Sequence, residues 1–236
     1  MTFSIVAFDQ ETNSLGTAVA TTVPCVGALA PHASLVAAVS TQAYVNVDLG
    51  IDVMERTYAG EAVDDAIRNA LDRDTGAHMR QISGIDSSGF GFAVTGTDVL
   101  SDSGHLVGTH HVVAGNLLSS VNVLTEMSLA FEGAAGEEFV SRLIRALEAG
   151  LAAGGERSSK DFEASYGSAA ALVASPEPRA FHNLRVDASR TAISDLRQVY
   201  ERAVASTIVL EQFYDGAITI RPNFWRRAED GGSGNA

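Results

Sequence analysis

Thr2-Phe-Ser-Ile-Val-Ala-Phe-Asp9, the polar cluster closing at Ser14, and the second run Leu15-Gly-Thr-Ala-Val-Ala-Thr-Thr22 decide the fold. Two β-rich runs joined by a short polar stretch predict a hairpin. In the first run both alternating faces are apolar, with Phe3, Ile5 and Ala7 on one and Val6 and Phe8 on the other. A strand that is apolar on both faces must be covered on both, which places this hairpin in an inner layer. Two more short runs, Val26 to Ala30 and Leu35 to Thr41, read as strands separated by Pro31-His-Ala-Ser34.

Downstream the period changes. Val63, Ala66, Ile67, Ala70 and Leu71 form one helical stripe, preceded by a short helix around Leu49, Val53 and Met54 that Gly60 ends. A second strand block follows: Met79 to Ile85, Phe90 to Val94, then Leu106 to Val113. Val121, Leu124, Met127 and Phe131 mark one helix. Phe139, Leu143 and Leu147 mark another, with Glu137 and Glu138 at its positive N-terminal end. Ser168 to Ala174 and Ala180 to Val186 return to strand character, and Ile193 through Ile208 describe a last long helix. This order lacks strict βαβ alternation, which argues against a doubly wound parallel sheet. It predicts an α+β fold, a four-layer αββα sandwich of two mostly antiparallel sheets. We expect one domain over residues 1–225, an irregular loop from Gly154 to Gly167 covering the site, and a disordered tail over 226–236.

Composition removes several functions. The 236 residues are 46% apolar and 19% charged, enough to build a full core. Twenty-nine acidic against sixteen basic residues give a net charge of −13, a surface that repels phosphates, so no nucleic-acid partner is expected. Cys25 is the single cysteine, which removes intrachain disulfides and Cys-based zinc sites. His105, His110 and His111 lack the H-E-x-x-H spacing, and neighbours in a strand point to opposite faces; no metal site and no cofactor is expected. The first residues carry no basic n-region, and no run of eighteen apolar residues occurs. The expectation is a soluble, cytoplasmic protein with no membrane partner.

The chemistry centres on the N-terminus. Threonine follows the initiator methionine, and a small residue there permits methionine removal. Thr2 then carries a hydroxyl and a free α-amine on one residue. An α-amine titrates near 7.7–8.0, so roughly a tenth or more is neutral at pH 7, whereas a lysine near 10.4 is almost wholly charged. Such a threonine activates its own hydroxyl without a histidine. Asn116, in a Gly-Asn pair after a strand, offers a side-chain amide to an oxyanion.

Thr2-Phe-Ser-Ile-Val-Ala-Phe-Asp9, Leu15-Gly-Thr-Ala-Val-Ala20 and Thr41-Gln-Ala-Tyr-Val-Asn46 resemble the family catalogued as domain of unknown function 1028. Arg80-Gln81, Thr95-Gly96, Gly115-Asn-Leu-Leu118 and Ala149 to Gly155 extend the likeness to about Val186. The resemblance implies a fold like that of the N-terminal-nucleophile (Ntn) hydrolases, an αββα sandwich, and a homo-oligomer. It also implies that a lysine lowers the nucleophile's proton affinity. The one lysine here, Lys160, lies in the irregular loop, so Arg80 or a hydroxyl network around Thr22 and Thr41 has to substitute. Gln42 and Asn46 are candidates for binding a substrate amide or carboxylate, and Thr95 is a further candidate at a strand end.

The leading expectation is a hydrolase of amide or acyl bonds acting on a small-molecule or peptide-like substrate. Thr2 is its nucleophile and Asn116 its oxyanion donor. The alternative is a non-catalytic ligand-binding or scaffold protein on the same fold, which the Thr21-Thr22 departure from the family pattern and the missing strand-region lysine favour.

Overall fold

The computed structural model describes residues 2–100, 102–155 and 166–213, with side chains through 207. Most of the Gly154–Gly167 loop, Lys160 within it, and the 226–236 tail lie outside the described residues.

β1 (Thr2–Asp9) and β2 (Ser14–Thr21) form the expected hairpin, and every residue of both is buried. Strands β3 (Pro31–Ala33) and β4 (Ala37–Ala43) follow, then helices α1 (Val47–Tyr58) and α2 (Val63–Leu71). β5 (Arg80–Asp86), β6 (Gly91–Thr95), β7 (Gly104–Gly108) and β8 (His111–Asn116) lead to α3 (Asn122–Gly133) and α4 (Phe139–Ala152). β9 (Gly167–Ala174), β10 (Asn183–Ser189) and α5 (Ala192–Phe213) complete the order.

A six-stranded sheet runs β10-β9-β2-β1-β8-β7, and a four-stranded sheet runs β3-β4-β5-β6. All the pairings are antiparallel. The α2 stripe predicted from spacing is buried, and with α1 it covers the four-stranded sheet through Val39, Ile67 and Ile82. α3, α4 and α5 cover the other sheet through Phe3, Ile5, Leu143, Leu147 and Leu196. The layers are therefore α, β, β, α, as the sequence predicts. Between the sheets Val6, Phe8, Leu15, Ala38, Ile85, Ala93 and Val112 make a third apolar cluster.

Four local expectations differ. Val26–Ala28 is a 3₁₀ turn, not a strand: Pro24 and the left-handed Cys25 (φ 68°) interrupt extension, and the Val26 N–H donates to Ser168 Oγ at 2.9 Å. The separator Pro31–Ala33 is itself a strand, at a sheet edge where a missing N–H costs little. The single strand expected over Leu106–Val113 is two strands, because His110 adopts φ 58° and turns the chain. The strand expected from Ala180 begins with a 3₁₀ turn, Ala180–His182, and becomes extended only at Asn183. Among the described residues no helix is long and apolar enough to cross a membrane.

Candidate functional site

Strand alternation decides which side chains meet between the sheets. In β1, Phe3 and Ile5 face the helices and Val6 faces the other sheet, so Thr2 and Ser4 face that sheet too. In β4, Val39 faces α1 and α2 while Ala38 faces inward, which brings Ser40 and Gln42 inward. In β5, Ile82 faces out and Ile85 in, so Gln81 and Ser83 point inward. The inter-sheet space thus has an apolar half around Val6 and Phe8 and a polar half at the Thr2 end.

Thr2 lies in a cross-strand row, directly opposite Thr21 on one side and Asn116 on the other. Its hydroxyl is 3.1 Å from Thr21 Oγ1, and the residue is 8% exposed. The hub facing this row is Gln81, which is fully buried. Its Oε1 accepts from Gln42 Nε2 (2.8 Å) and Asn116 Nδ2 (3.1 Å). Its Nε2 shares two N–H bonds among Thr95 Oγ1 (2.9 Å) and the carbonyls of Gly104 (3.0 Å) and Gly115 (2.9 Å). These partners fix the amide's orientation, since a flip would set NH₂ groups against NH₂ groups and oxygen against oxygen. Because Thr95 Oγ1 accepts from Gln81, its own hydrogen is available to His105 Nδ1 at 2.9 Å. Burial pushes the His105 pKa down, which favours the neutral, accepting ring.

One row deeper, Ser4, Ser40 and Ser83 are buried with hydroxyls that contact no protein partner, and Gln42 Oε1 is likewise without one. Ser40 and Ser83 are cross-strand partners, so these groups form one layer directly beneath the amide hub. Such groups are uncommon in protein interiors.

Six of the eight candidates from sequence fall in two places, and Thr41 and Thr22 in neither. Thr2, Gln42, Thr95 and Asn116 converge on the layer just described. Asn46 and Arg80 belong elsewhere, at the start of α1. Asn46 caps that helix by accepting from the Asp48 and Leu49 N–H groups, and it donates to Asp74 at 3.2 Å. Arg80 donates to Asp74 (2.7 and 3.2 Å) and to the Tyr44 carbonyl (2.5 Å). This ion pair holds the Asp74 carboxyl at about 2. Thr41 is buried on the helix-facing side of β4, opposite to Gln42. Thr22 lies just past β2 and lines a cleft.

That cleft, about 340 Å³, opens at the end of the six-stranded sheet where Thr2 begins. Phe3, Thr21, Thr22, Leu151, Gly154, Gly167, Ser168 and residues 189–194 line it. Thr21 belongs both to its wall and to the row containing Thr2. Gly154, which ends α4, needs its φ of 112° to turn the chain away here.

Residue type alone does not mark Gln81 or Thr21 as site residues, although they contact the row and form its hub. The signal for Gln81 is alternation: Gln81, Ser83 and Ile85 share the face that Arg80 does not. Among the described residues no group of three or more His, Cys, Asp or Glu side chains is arranged to hold a metal.

Comparison with known proteins gives the chain a family and no activity. No curated protein matches it. A crystal structure of a Silicibacter pomeroyi protein is 32% identical and superposes with a TM-score of 0.77, over 86% of this chain and 85% of that one. The HslV of Trypanosoma brucei is 9% identical, with a TM-score of 0.38 over 73% of this chain and 99% of that one, too remote to bear on function. The model of a family of unknown function, DUF1028, matches residues 2–196, and the chain belongs to that family.

Proposed function

We propose that the protein hydrolyses an amide or related acyl bond with Thr2 as nucleophile, once Met1 is removed. The observation that carries this reading is the row Thr21–Thr2–Asn116, in which the Asn116 carboxamide is held by the buried Gln81 amide. The neutral α-amine of Thr2 takes the proton from Oγ1 as the oxygen attacks the substrate carbonyl. Asn116 has one N–H on Gln81, and its second donates to the oxyanion that forms. The α-ammonium then returns the proton to the leaving amine. Water, deprotonated by the same α-amine, attacks the acyl-threonine ester and regenerates Thr2. The pathway needs no cofactor. The same reading takes the protein to be a cytoplasmic homo-oligomer acting on a small-molecule or peptide-like substrate.

A second reading, a non-catalytic binding or scaffold protein, draws on one specific observation. Thr2 is only 8% exposed, and its hydroxyl is engaged by Thr21 Oγ1 at 3.1 Å. One experiment separates the two. Intact-mass measurement before and after incubation with a β-lactone should show loss of Met1 and gain of a single probe mass, absent in Thr2→Ala. Labelling should rise with pH to a plateau above about 8, where the amine is neutral. Retention of Met1, or equal labelling of Thr2→Ala, refutes the hydrolase and leaves the binding reading.

A further inference from the structure

The buried amide hub reaches the surface through Thr95. Its Oγ1 accepts from Gln81 Nε2 and lies 2.9 Å from Nδ1 of His105, an exposed residue of β7 at the edge of the six-stranded sheet. The groups form one directed chain: the Asn116 N–H donates to Gln81 Oε1, the Gln81 N–H to Thr95 Oγ1, and the Thr95 O–H to His105 Nδ1. A group that donates accepts more strongly in turn, so such a chain polarises along its length. The direction holds only while Nδ1 carries no proton and the ring hydrogen sits on Nε2.

His105 lies opposite Ala114 of β8, and its neighbour Leu106 packs on the helix-facing core, so the imidazole points toward the four-stranded sheet. Among the described residues few charges face it. β6 has no titratable side chain. β8 has His111, which sits opposite Gly108 and bonds to Ser128 and the Thr109 carbonyl. Glu126 and Glu132 belong to α3, on the other face of the sheet. The β6–β7 loop carries Asp102 and Asp98, the latter 3.9 Å from the His78 ring. Partial burial pushes the His105 pKa below 6.5.

We infer that His105 is a positioning residue for the Thr2 site: its neutral ring holds the Thr95–Gln81–Asn116 chain in the direction that orients Asn116, and protonation reverses the last link and loosens the rest. An Nδ1–H aimed at Thr95 Oγ1 makes that oxygen accept twice, from His105 and from Gln81, and sends its own hydrogen elsewhere. The Gln81 N–H groups then lean on the Gly104 and Gly115 carbonyls, and Gln81 Oε1 accepts less strongly from Asn116. The inference gives the site a sensitivity to mild acid and rests on the hydrolase reading for its effect on rate. The hydrogen-bond coupling itself is readable without turnover.

Two readouts test it on the full chain, each with His105→Asn and His105→Leu, substitutions at an exposed edge. Asparagine places an amide oxygen where Nδ1 stood and does not titrate, whereas leucine offers no acceptor. In the wild-type chain the side-chain amide NMR signals of Gln81 and Asn116 should move between about pH 8 and pH 5 with the midpoint of the His105 ring, and in His105→Asn they should stay still. Labelling of Thr2 by a β-lactone should be about three- to tenfold slower in His105→Leu at pH 8, and His105→Asn should recover most of that loss. The wild-type to His105→Asn rate ratio, in which the α-amine titration cancels, should be flat above about pH 7 and fall about threefold or more toward pH 5. Amide signals that ignore the His105 titration, or that move equally in His105→Asn, overturn the inference, as does a rate ratio independent of pH. If Thr2 is labelled at no pH, the hydrolase falls and the amide signals still decide the coupling. Labelling without the amide shifts keeps the hydrolase and removes His105 from it.

Discussion

The two halves of the inter-sheet space are built from the same strands and follow opposite rules. Around Val6, Phe8, Ala38 and Ile85 the sheets meet through apolar side chains that are at most 8% exposed. Two rows away, the same β1, β4 and β5 present Thr2, Ser4, Ser40, Gln42, Gln81 and Ser83 to one another. The first half contributes stability through area removed from water. The second spends some of it, because buried amides and hydroxyls recover only part of their hydration in hydrogen bonds. Polar groups kept in a core despite that cost mark the place where geometry is needed more than stability.

Substitutions in each half sharpen the contrast. Ile85→Ala, in the apolar half, should lose about 2–5 kcal/mol in denaturant unfolding while β-lactone labelling of the folded protein stays unchanged. Gln81→Leu should cost about 3 kcal/mol, since it strands the Gln42 and Asn116 amides and two carbonyls. Unlike Ile85→Ala, it should also slow labelling of Thr2. Equal labelling in both variants would break the distinction between the halves.

A smaller effect lies outside both. Burial, followed by the Arg179 charge, pushes the His182 pKa from 6.5 to about 4. The native state resists this proton, so its stabilising share is complete above about pH 6.5 and is lost as the pH falls toward 4. His182→Gln should flatten the stability–pH slope in that window, measured by thermal melts; an unchanged slope contradicts the assignment. The smallest effect concerns the unpartnered hydroxyls. Ser40→Ala and Ser83→Ala should be neutral or gain up to about 1 kcal/mol, because no protein hydrogen bond is lost. A loss above that size would mean each hydroxyl holds a partner of its own.

Much of the architecture was legible because it rests on periodicity. The Asp9–Ser14 turn between two apolar runs gives β1 and β2, and the Val63–Leu71 stripe gives α2. Where the backbone does something local, the pattern fails: nothing in Leu106–Val113 announces that His110 takes a positive φ. The site was legible by residue type but not by face. By residue type Arg80 reads as a cation and Thr41 as a hydroxyl, yet each is one residue out of phase with its inward neighbour, Gln81 or Gln42. A one-residue step along a strand moves a side chain to the other side of the sheet. Thr2 and Asn116 were found separately in sequence, 114 positions apart, and only the β1–β8 register makes them neighbours.

On the proposed reading Asn116, oriented by Gln81, serves the oxygen chemistry of Thr2. The rate of Thr2 acylation by a β-lactone, compared between the wild-type chain and a folded Asn116→Ala variant, tests it most directly. A fall of about 10²–10³-fold is the result expected for losing one oxyanion donor, and an unchanged rate would contradict it.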